Sequence, residues 1–520
     1  MRRRHKILLT LGVVLASVAL VAGLYHGHLK AVNEAYIAQL VAQGEPMSLA
    51  QVLPPPVPPA DNHAALFLRA TALLAADSSL LHTDSCRVMQ MTAPGQALVC
   101  SQLPTMAGYD ATNAWPVLDQ ALLTNQPALS LLLKLADHAT CDFHISYDGC
   151  FTDPRFFTNL HLVEFRKAEK YLKAQIVYSL HQADLATAVQ SQRALLALVQ
   201  ATQNQRLQIS QWVRLAMVHG LQNTCWEILQ TPGITEAQLA QLQTDWEQLD
   251  FIDSAQQALA MERAVGELTL ADWRNSPAAF RQYLDLGKSA RIVLGMPDTP
   301  ESLWVRGQAN LKIFLWRYWW SYPDEFRALQ GYQVLLGAAR LTSTNGSFIN
   351  ARARQATGLA ALRLTNLPDE FSALFDTMSS GPDFHSMLSS AIVSLAPTLD
   401  KVLSAETTRQ ITIAALALQR FKLALGHFPT HLAELVPAYV TSLPRDPVDG
   451  QSLRYRLQTD GKFLLYSVGE NGLDDGGNPA CADHSSEKSL NWLARQNLDW
   501  VWPQPVARPP TLKYYDIPNS

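Results

Sequence analysis

Several short motifs contain the residue types that carry out catalysis or bind metals. Gly287-Lys288-Ser289 ends like a phosphate-binding loop, but Gln282 stands where that loop needs its first glycine. His161-Leu-Val-Glu164 and His427-Phe-Pro-Thr-His431 bring histidines near other polar groups, yet neither matches the H-E-x-x-H zinc motif or supplies a third ligand. We therefore predict surface or helix-capping histidines at these motifs.

Acidic pairs and tryptophans offer a second kind of chemistry. Asp324-Glu325 and Asp369-Glu370 each follow a proline, where carboxylates ordinarily stabilise helix N-termini. Trp316, Trp319 and Trp320 stand at helical offsets, so they would line one face and stack on a sugar or a peptide, unless they pack in the core. The two carboxylates of a glycosidase are not fixed by a short motif. A hydrolase acting on cell-wall polysaccharide therefore stays an alternative.

The chain has 520 residues, and this length predicts roughly three packed units of about 150 residues each. Hydrophobic residues make up 48% and charged residues 17%, as in a folded globular protein. Lys and Arg total 41 against 45 Asp and Glu, a net charge of −4. We therefore expect no nucleic-acid partner, because the chain has no basic excess to attract phosphates.

The N-terminal sequence predicts a membrane-spanning segment. Residues 1–6 are basic, and the apolar run 7–24 is about the minimum length that spans a bilayer. The positive-inside rule keeps the basic end in the cytoplasm and sends the rest of the chain outward. A cleaved signal peptide is the competing interpretation, with a weak cleavage site at Val21-Ala22-Gly23. We expect a single-pass cell-membrane protein, with the bilayer contacted through 7–24 and the bulk of the chain periplasmic.

Six cysteines fit an oxidising compartment. Cys86 and Cys100, and likewise Cys141 and Cys150, lie close together in loop-like stretches and are predicted to form two local disulfides. Cys225 and Cys481 are left to pair over a long range or to stay free.

The middle of the chain is predicted to be helical. Apolar spacing indicates one helix over 165–180 and another over 185–199, separated by a break at 182–184 and forming an antiparallel hairpin. A third helix is predicted from about Leu207 to Leu229 and a fourth after Pro232-Gly233, in a stack of helix hairpins. The Pro-rich stretch 53–59 is predicted to be an extended spacer that lifts the body off the membrane.

The C-terminal region combines a helix with a β-hairpin. The apolar positions from Ile411 to Leu425 form one helix face, and Gly426 is predicted to end the helix. A short helix over 432–439 follows, capped by Thr430, and then alternating segments at 453–457 and 462–468 form a hairpin.

This order of motifs resembles a known module. Gly-x-Phe-Pro, Leu443-Pro-Arg-Asp-Pro447, the hairpin, and Tyr466-Ser-Val-Gly-Glu-Asn-Gly472 with Asp474-Asp-Gly-Gly477 are similar to the globular domain of type II secretion major pseudopilins. The resemblance covers about a fifth of the chain and implies a small α+β domain. In that family a loop of this kind holds calcium, which prefers clustered carboxylate and carbonyl oxygens. The ligands that the resemblance implies here are Asp474, Asp475, Asp499 and Asn471.

Two departures from the family pattern affect what the resemblance implies. Asn471 replaces the loop aspartate, and the stretch between Gly477 and Asp499 is longer. Residues 7–24 also contain no Glu and no prepilin cleavage motif, so we do not expect assembly into a filament.

The predicted fold class is mainly α, with an N-terminal transmembrane helix, a helix-hairpin body and a small pseudopilin-like α+β domain. The predicted divisions are a basic end (1–6), a transmembrane signal anchor (7–24), a stalk and Pro-rich linker (25–60), a helical body (61–403), the α+β domain (404–505) and a tail (506–520). No complete catalytic motif is present, so we expect a non-enzymatic scaffold that binds envelope proteins or cell-wall glycan. An accessory subunit of a secretion or pilus system is a further alternative.

Overall fold

The computed structural model describes residues 2–75, 89–93, 96–99, 115–137, 140–147, 156, 159–282, 303–364, 387–478 and 499–502. Gly287-Lys288-Ser289, which lacks the first glycine of a phosphate-binding loop, lies outside these residues, as do the pair Asp369-Glu370 and the tail 506–520. So do Cys86, Cys100, Cys150 and Cys481, the predicted partners in every proposed disulfide.

The N-terminal half begins with one long helix, α1, that includes the apolar run 7–24 and continues to Ala42. In the part of the chain that the structure describes, no helix is both long enough and apolar enough to cross a membrane. Short elements follow α1: α2 (Leu49–Val52), α3 (Ala64–Leu73), the antiparallel strands β1 (Met89–Ala93) and β2 (Gln96–Val99), α4 (Trp115–Thr124) and α5 (Gln126–Leu133).

The predicted helix hairpin is confirmed. Helices α6 (Leu162–His181) and α7 (Leu185–Ala201) pack together across a three-residue connection. The side chain of Asp184 accepts a hydrogen bond from the Thr187 amide and so begins α7. The third and fourth predicted helices are α8 (Gln208–Gln230) and α9 (Glu236–Glu247). Thr235 and Gln238 form a capping box that begins α9.

Six further helices of the body are described. They are α10 (Ile252–Asn275), α11 (Leu303–Leu315), α12 (Ser321–Asn345), α13 (Phe348–Ala361), α14 (Met387–Leu395) and α15 (Thr398–Leu425). A π-helical turn, Trp316–Trp320, joins α11 to α12. The protein is therefore mainly helical, as predicted.

The C-terminal part forms a three-stranded antiparallel sheet against α15. Strand β3 (Arg454–Leu457) pairs with β4 (Phe463–Val468), confirming the predicted hairpin, and β4 also pairs with β5 (Asp499–Val501). Gly426, at φ +81°, ends α15 as predicted, because glycine adopts this left-handed conformation without steric cost.

Two local predictions in this part need correction. The short helix predicted over 432–439 is only a 3-10 turn, Leu432–Leu435, and its N-cap is His431 in place of Thr430. The turn ends there because Val436 precedes Pro437, and a residue before proline disfavours the helical conformation. Thr430 still takes part, since its hydroxyl donates to Glu434.

A single apolar core joins the body to the sheet. It runs from Phe67 through Leu172 and Leu242 to Val468 and Trp500. Position 404, the predicted start of a separate C-terminal domain, falls inside α15. All eight residues from Ile411 to Leu418 are buried, so this part of α15 is covered on every side, whereas its sequence predicted a single apolar face.

The predicted stalk is also part of the packed structure. Leu40 and Asn33 in α1 are each 2% exposed, and the Tyr36 and Phe326 rings lie 5.0 Å apart edge to face. This part of the predicted stalk therefore packs along α12.

Candidate functional site

The Trp-rich segment is divided between the core and the surface. Trp316 is fully buried, and its ring lies 4.8 Å from that of Phe280 and 6.0 Å from that of Trp273. Trp319, by contrast, is 37% exposed. Core packing, the alternative to a binding face, therefore holds for Trp316 and for the partly buried Trp320, which packs against the same cluster, whereas Trp319 lies on the surface of the π-helical turn.

The exposed part of this segment meets α1. The rings of Tyr25 and Trp319 lie 6.3 Å apart, and that of His26 lies 5.1 Å from that of Tyr322. His26 Nδ1 is 2.8 Å from the carbonyl oxygen of Tyr318, which only accepts, so Nδ1 carries the proton. The junction fixes the direction in which α1 leaves the body.

A buried ion cluster holds the end of α1 to the body. Glu45 Oε2 lies 3.0 Å from Arg263 Nη2 in α10 and 2.9 Å from Arg340 Nη2 in α12. Arg263 is fully buried and Glu45 is 8% exposed. The hydrogen bond from Arg340 is the largest of the effects that lower the pKa of Glu45, to about 2. Glu45 is thus charged at neutral pH and paired with both arginines.

The acidic pair Asp324-Glu325 has structural partners. Asp324 accepts hydrogen bonds from the amides of Leu388 and Ser389, both at 2.9 Å, and so caps α14 instead of its own helix. Glu325 forms an ion pair with Arg274, whose guanidinium carbon lies 4.2 Å from the Tyr322 ring centroid. These carboxylates stabilise the fold around the Trp-rich segment.

A third carboxylate lies against this pair. Burial, followed by the nearby charge of Glu325, raises the pKa of Glu267 well above its ordinary value. Glu267 and Glu325 lie beside Arg274 where α10 and α12 pack together, and Glu267 is partly exposed. The apolar cavity between α10, α12 and α15 is lined by Leu259, Leu335 and Leu399 among others and contains no carboxylate.

Three of the four predicted calcium ligands, Asn471, Asp474 and Asp475, lie in the loop that follows β4, and the fourth, Asp499, lies in the neighbouring strand. Asp499, in β5, is fully buried and accepts hydrogen bonds from the amides of Gly477 at 2.8 Å and Asn478 at 3.1 Å. Asp475 Oδ2 accepts from the Asn471 side-chain amide at 2.8 Å. The loop is thus closed onto β5 by its own hydrogen bonds.

The guanidinium group of Arg454 lies beside this loop. Asp474 accepts from the Tyr466 hydroxyl at 2.9 Å, and its other oxygen lies 3.7 Å from Arg454 Nε. Arg454 also pairs with Asp446 and Asp449. Within the described ranges, no group of three His, Cys, Asp or Glu side chains is arranged to hold a metal. Calcium would have to replace N–H and O–H donors here, so the observed donor set fits it poorly.

The remaining candidate histidines and cysteines have capping, hydrogen-bonding or packing roles in the fold. His161 is the N-cap residue of α6, with φ 53°, and burial lowers its pKa. His427 Nδ1 lies 3.0 Å from the carbonyl oxygen of Phe428. Cys141 and Cys225 are free and buried, and burial raises the pKa of each thiol to about 12, which makes both unreactive.

The comparisons with protein families, curated proteins and solved structures found no match to this chain. Sequence reasoning missed the junction between α1 and the Trp-rich segment, since nearly 300 positions separate His26 from Tyr318. In the sequence, this junction was indicated only by the apolar residues of α1 and of the Trp-rich segment.

Proposed function

We propose that this chain is a membrane-anchored envelope protein whose helical body serves as a binding scaffold outside the cytoplasm. The observation that carries the proposal is the two-part character of α1. Leu20, Val21 and Leu24 are 64–67% exposed, while the segment from Asn33 to Leu40 packs into the body. In this proposal the uncovered apolar end of α1 enters the bilayer and the packed end holds the body.

The described polar groups favour a scaffold over an enzyme. Glu45, Asp324 and Glu325 are all engaged in ion pairs or helix caps. None of them faces the apolar cavity between α10, α12 and α15. The hydrolase alternative therefore has no specific support from these carboxylates.

A role as accessory subunit of a secretion or pilus system is a second candidate. Its support is the sequence resemblance together with a helix, a hairpin and an acidic loop in that order. Chemical crosslinking of tagged full-length protein in its own cells, followed by mass spectrometry, tests it. Recovery of secretion-channel or platform proteins would favour this role, whereas recovery of wall enzymes alone would contradict it.

The anchor is tested by expressing the full chain in a bacterial host. We expect it to remain in membranes after alkaline carbonate extraction and to be digested by protease added to spheroplasts. Replacing Val13 and Val14 by Arg should release it, because an arginine at the centre of a spanning helix costs about 2.5 kcal/mol or more. Val32→Arg, at a 40% exposed position in the packed half of α1, is the matched control. Loss of an N-terminal tag with a soluble periplasmic product would show a cleaved signal instead.

A further inference from the structure

The π-helical turn and the end of α11 carry an apolar surface that faces away from the core. Leu311, Phe314 and Tyr318, spaced three and four residues apart, are 58%, 54% and 45% exposed. On the opposite side, Ile313 and Trp316 are buried. We call Leu311, Phe314, Tyr318, Trp319 and Tyr25 the aromatic shelf.

The aromatic shelf is continuous with the uncovered part of α1. Tyr25 contacts Trp319, and the exposed Leu20, Val21 and Leu24 precede it by one to five positions on the same helix. Two segments that are remote in sequence therefore form one exposed apolar surface.

The position of the aromatic shelf along α1 indicates what covers it. The run 7–24 has 18 residues, which span about 27 Å at about 1.5 Å per residue. That is close to the roughly 30 Å hydrocarbon thickness of a bilayer. Tyr25 and His26 then stand at the boundary between hydrocarbon and headgroups, and Trp319 lies at the same level because it contacts Tyr25.

The composition of the aromatic shelf fits that boundary. Tyrosine and tryptophan concentrate at membrane interfaces, where an apolar ring and a polar tip are both accommodated. The Arg317 guanidinium lies 5.8 Å from the Tyr318 ring, and its Nε donates to the carbonyl oxygen of Arg274 at 2.7 Å, so Arg317 holds this end of the aromatic shelf to the body.

We propose that the aromatic shelf inserts into the outer leaflet interface, so that the body rests directly on the bilayer. The proposal rests on the anchor described above and deepens it, because the partner of the Trp-rich segment becomes a lipid surface in place of a sugar. α1 and the aromatic shelf together hold the body in one orientation on the membrane.

Nitroxide labelling of the full chain in phosphatidylethanolamine and phosphatidylglycerol vesicles tests the proposal. Labels at Phe314→Cys and, independently, at Leu311→Cys should be quenched more by oxygen than by a water-soluble nickel chelate. A label at Val163→Cys, 76% exposed on α6, should show the reverse. Signal from native thiols is subtracted with the unsubstituted chain.

The outcomes of this labelling experiment distinguish the anchor from the aromatic shelf. Failure of the full chain to enter vesicles would contradict the anchor. Entry with labels at 311 and 314 that behave like the label at 163 would overturn the aromatic shelf alone. Labels shielded from both reagents would mean that protein covers this surface, which would also overturn it.

Discussion

At the scale of single residues, Glu45 connects α1 to the body. It neutralises Arg263, which is fully buried, and Arg340 at the same time. We expect Glu45→Gln to destabilise the protein by about 3 kcal/mol, because removing one partner of a buried ion pair leaves the other charge uncompensated. Urea unfolding of the purified full chain in detergent at pH 7 measures this difference.

The pH dependence of the same variant gives a sharper result. The folded-state pKa of Glu45 is lowered from 4.5 to about 2. Its contribution is therefore complete above the unfolded-state value and lost as pH falls from about 4.5 towards 2, so the variant and the natural protein should converge there. Glu34→Gln, in an exposed pair with Lys30, should change stability by under about 0.5 kcal/mol. An equal loss in both variants would contradict the role of Glu45.

Glu227 in α8 presents the opposite case. It is 4% exposed, and burial raises its pKa to about 8. The protonated form is favoured on folding, so stability is complete below the unfolded-state pKa and falls as pH rises through about 8. Glu227→Gln should raise the Tm at pH 9 and change it little at pH 5, as measured by circular dichroism. Glu247→Gln, exposed on α9, should leave the Tm unchanged at both pH values.

At the scale of elements, the sequence was most informative where periodicity and caps agree. The helices α6 to α9 follow from apolar spacing, and local residues mark helix boundaries: Asp184 begins α7, Thr235 begins α9 and Gly426 ends α15. These signals are local, because each cap satisfies backbone groups within one turn.

Features that depend on distant contacts could not be predicted. The π-helical turn that separates Trp316 from Trp319 is held by packing against Trp273 and Phe280, which no local pattern announces. Strand β5 has only three residues and pairs with β4 across more than thirty positions. The hydrogen bonds that Asp499 accepts from backbone N–H groups of the acidic loop were not apparent from residue types.

A substitution at Asp499 tests how much its hydrogen bonds stabilise the acidic loop. Asp499→Asn removes a carboxylate that accepts from Gly477 and Asn478 amides, so we expect a loss of about 1–3 kcal/mol. The loss should appear as a lower Tm in chelator and in calcium alike. Asp460→Asn, in the β3–β4 turn, is the control, since asparagine supports the same side-chain to backbone turn.

The same Tm measurement also tests whether the acidic loop binds calcium. A Tm of the natural protein that rises with calcium, together with a loss in Asp499→Asn confined to calcium buffer, would establish the metal site that the pseudopilin resemblance implies. It would also mean that the loop rearranges on binding, because Asp499 and Asp474 now accept from protein donors.

At the scale of the whole molecule, α15 joins the body and the sheet into one structure. One side of α15 packs on α8 and α9, and another packs on β4. Polar contacts reinforce this arrangement, since Gln243 in α9 donates to the carbonyl oxygen of Tyr439 at 2.7 Å and Arg420 pairs with Glu236 at 2.7 Å. Motion of the sheet relative to the body would expose the centre of the core.

The fragment 404–505 tests whether the C-terminal part is an independent domain. It retains Ile411, Ile413 and Leu416 but lacks the helices α8 and α9 that cover α15. Burial of apolar area is the main stabilising term in folding, so a helix stripped on one side leaves the fragment with too small a core. We expect aggregation or a broad, uncooperative melt by circular dichroism, whereas the full chain should melt cooperatively. A soluble fragment with a dispersed NMR spectrum would instead show that the module folds alone, as the family resemblance implies, and that its burial against α8 and α9 is an added interface.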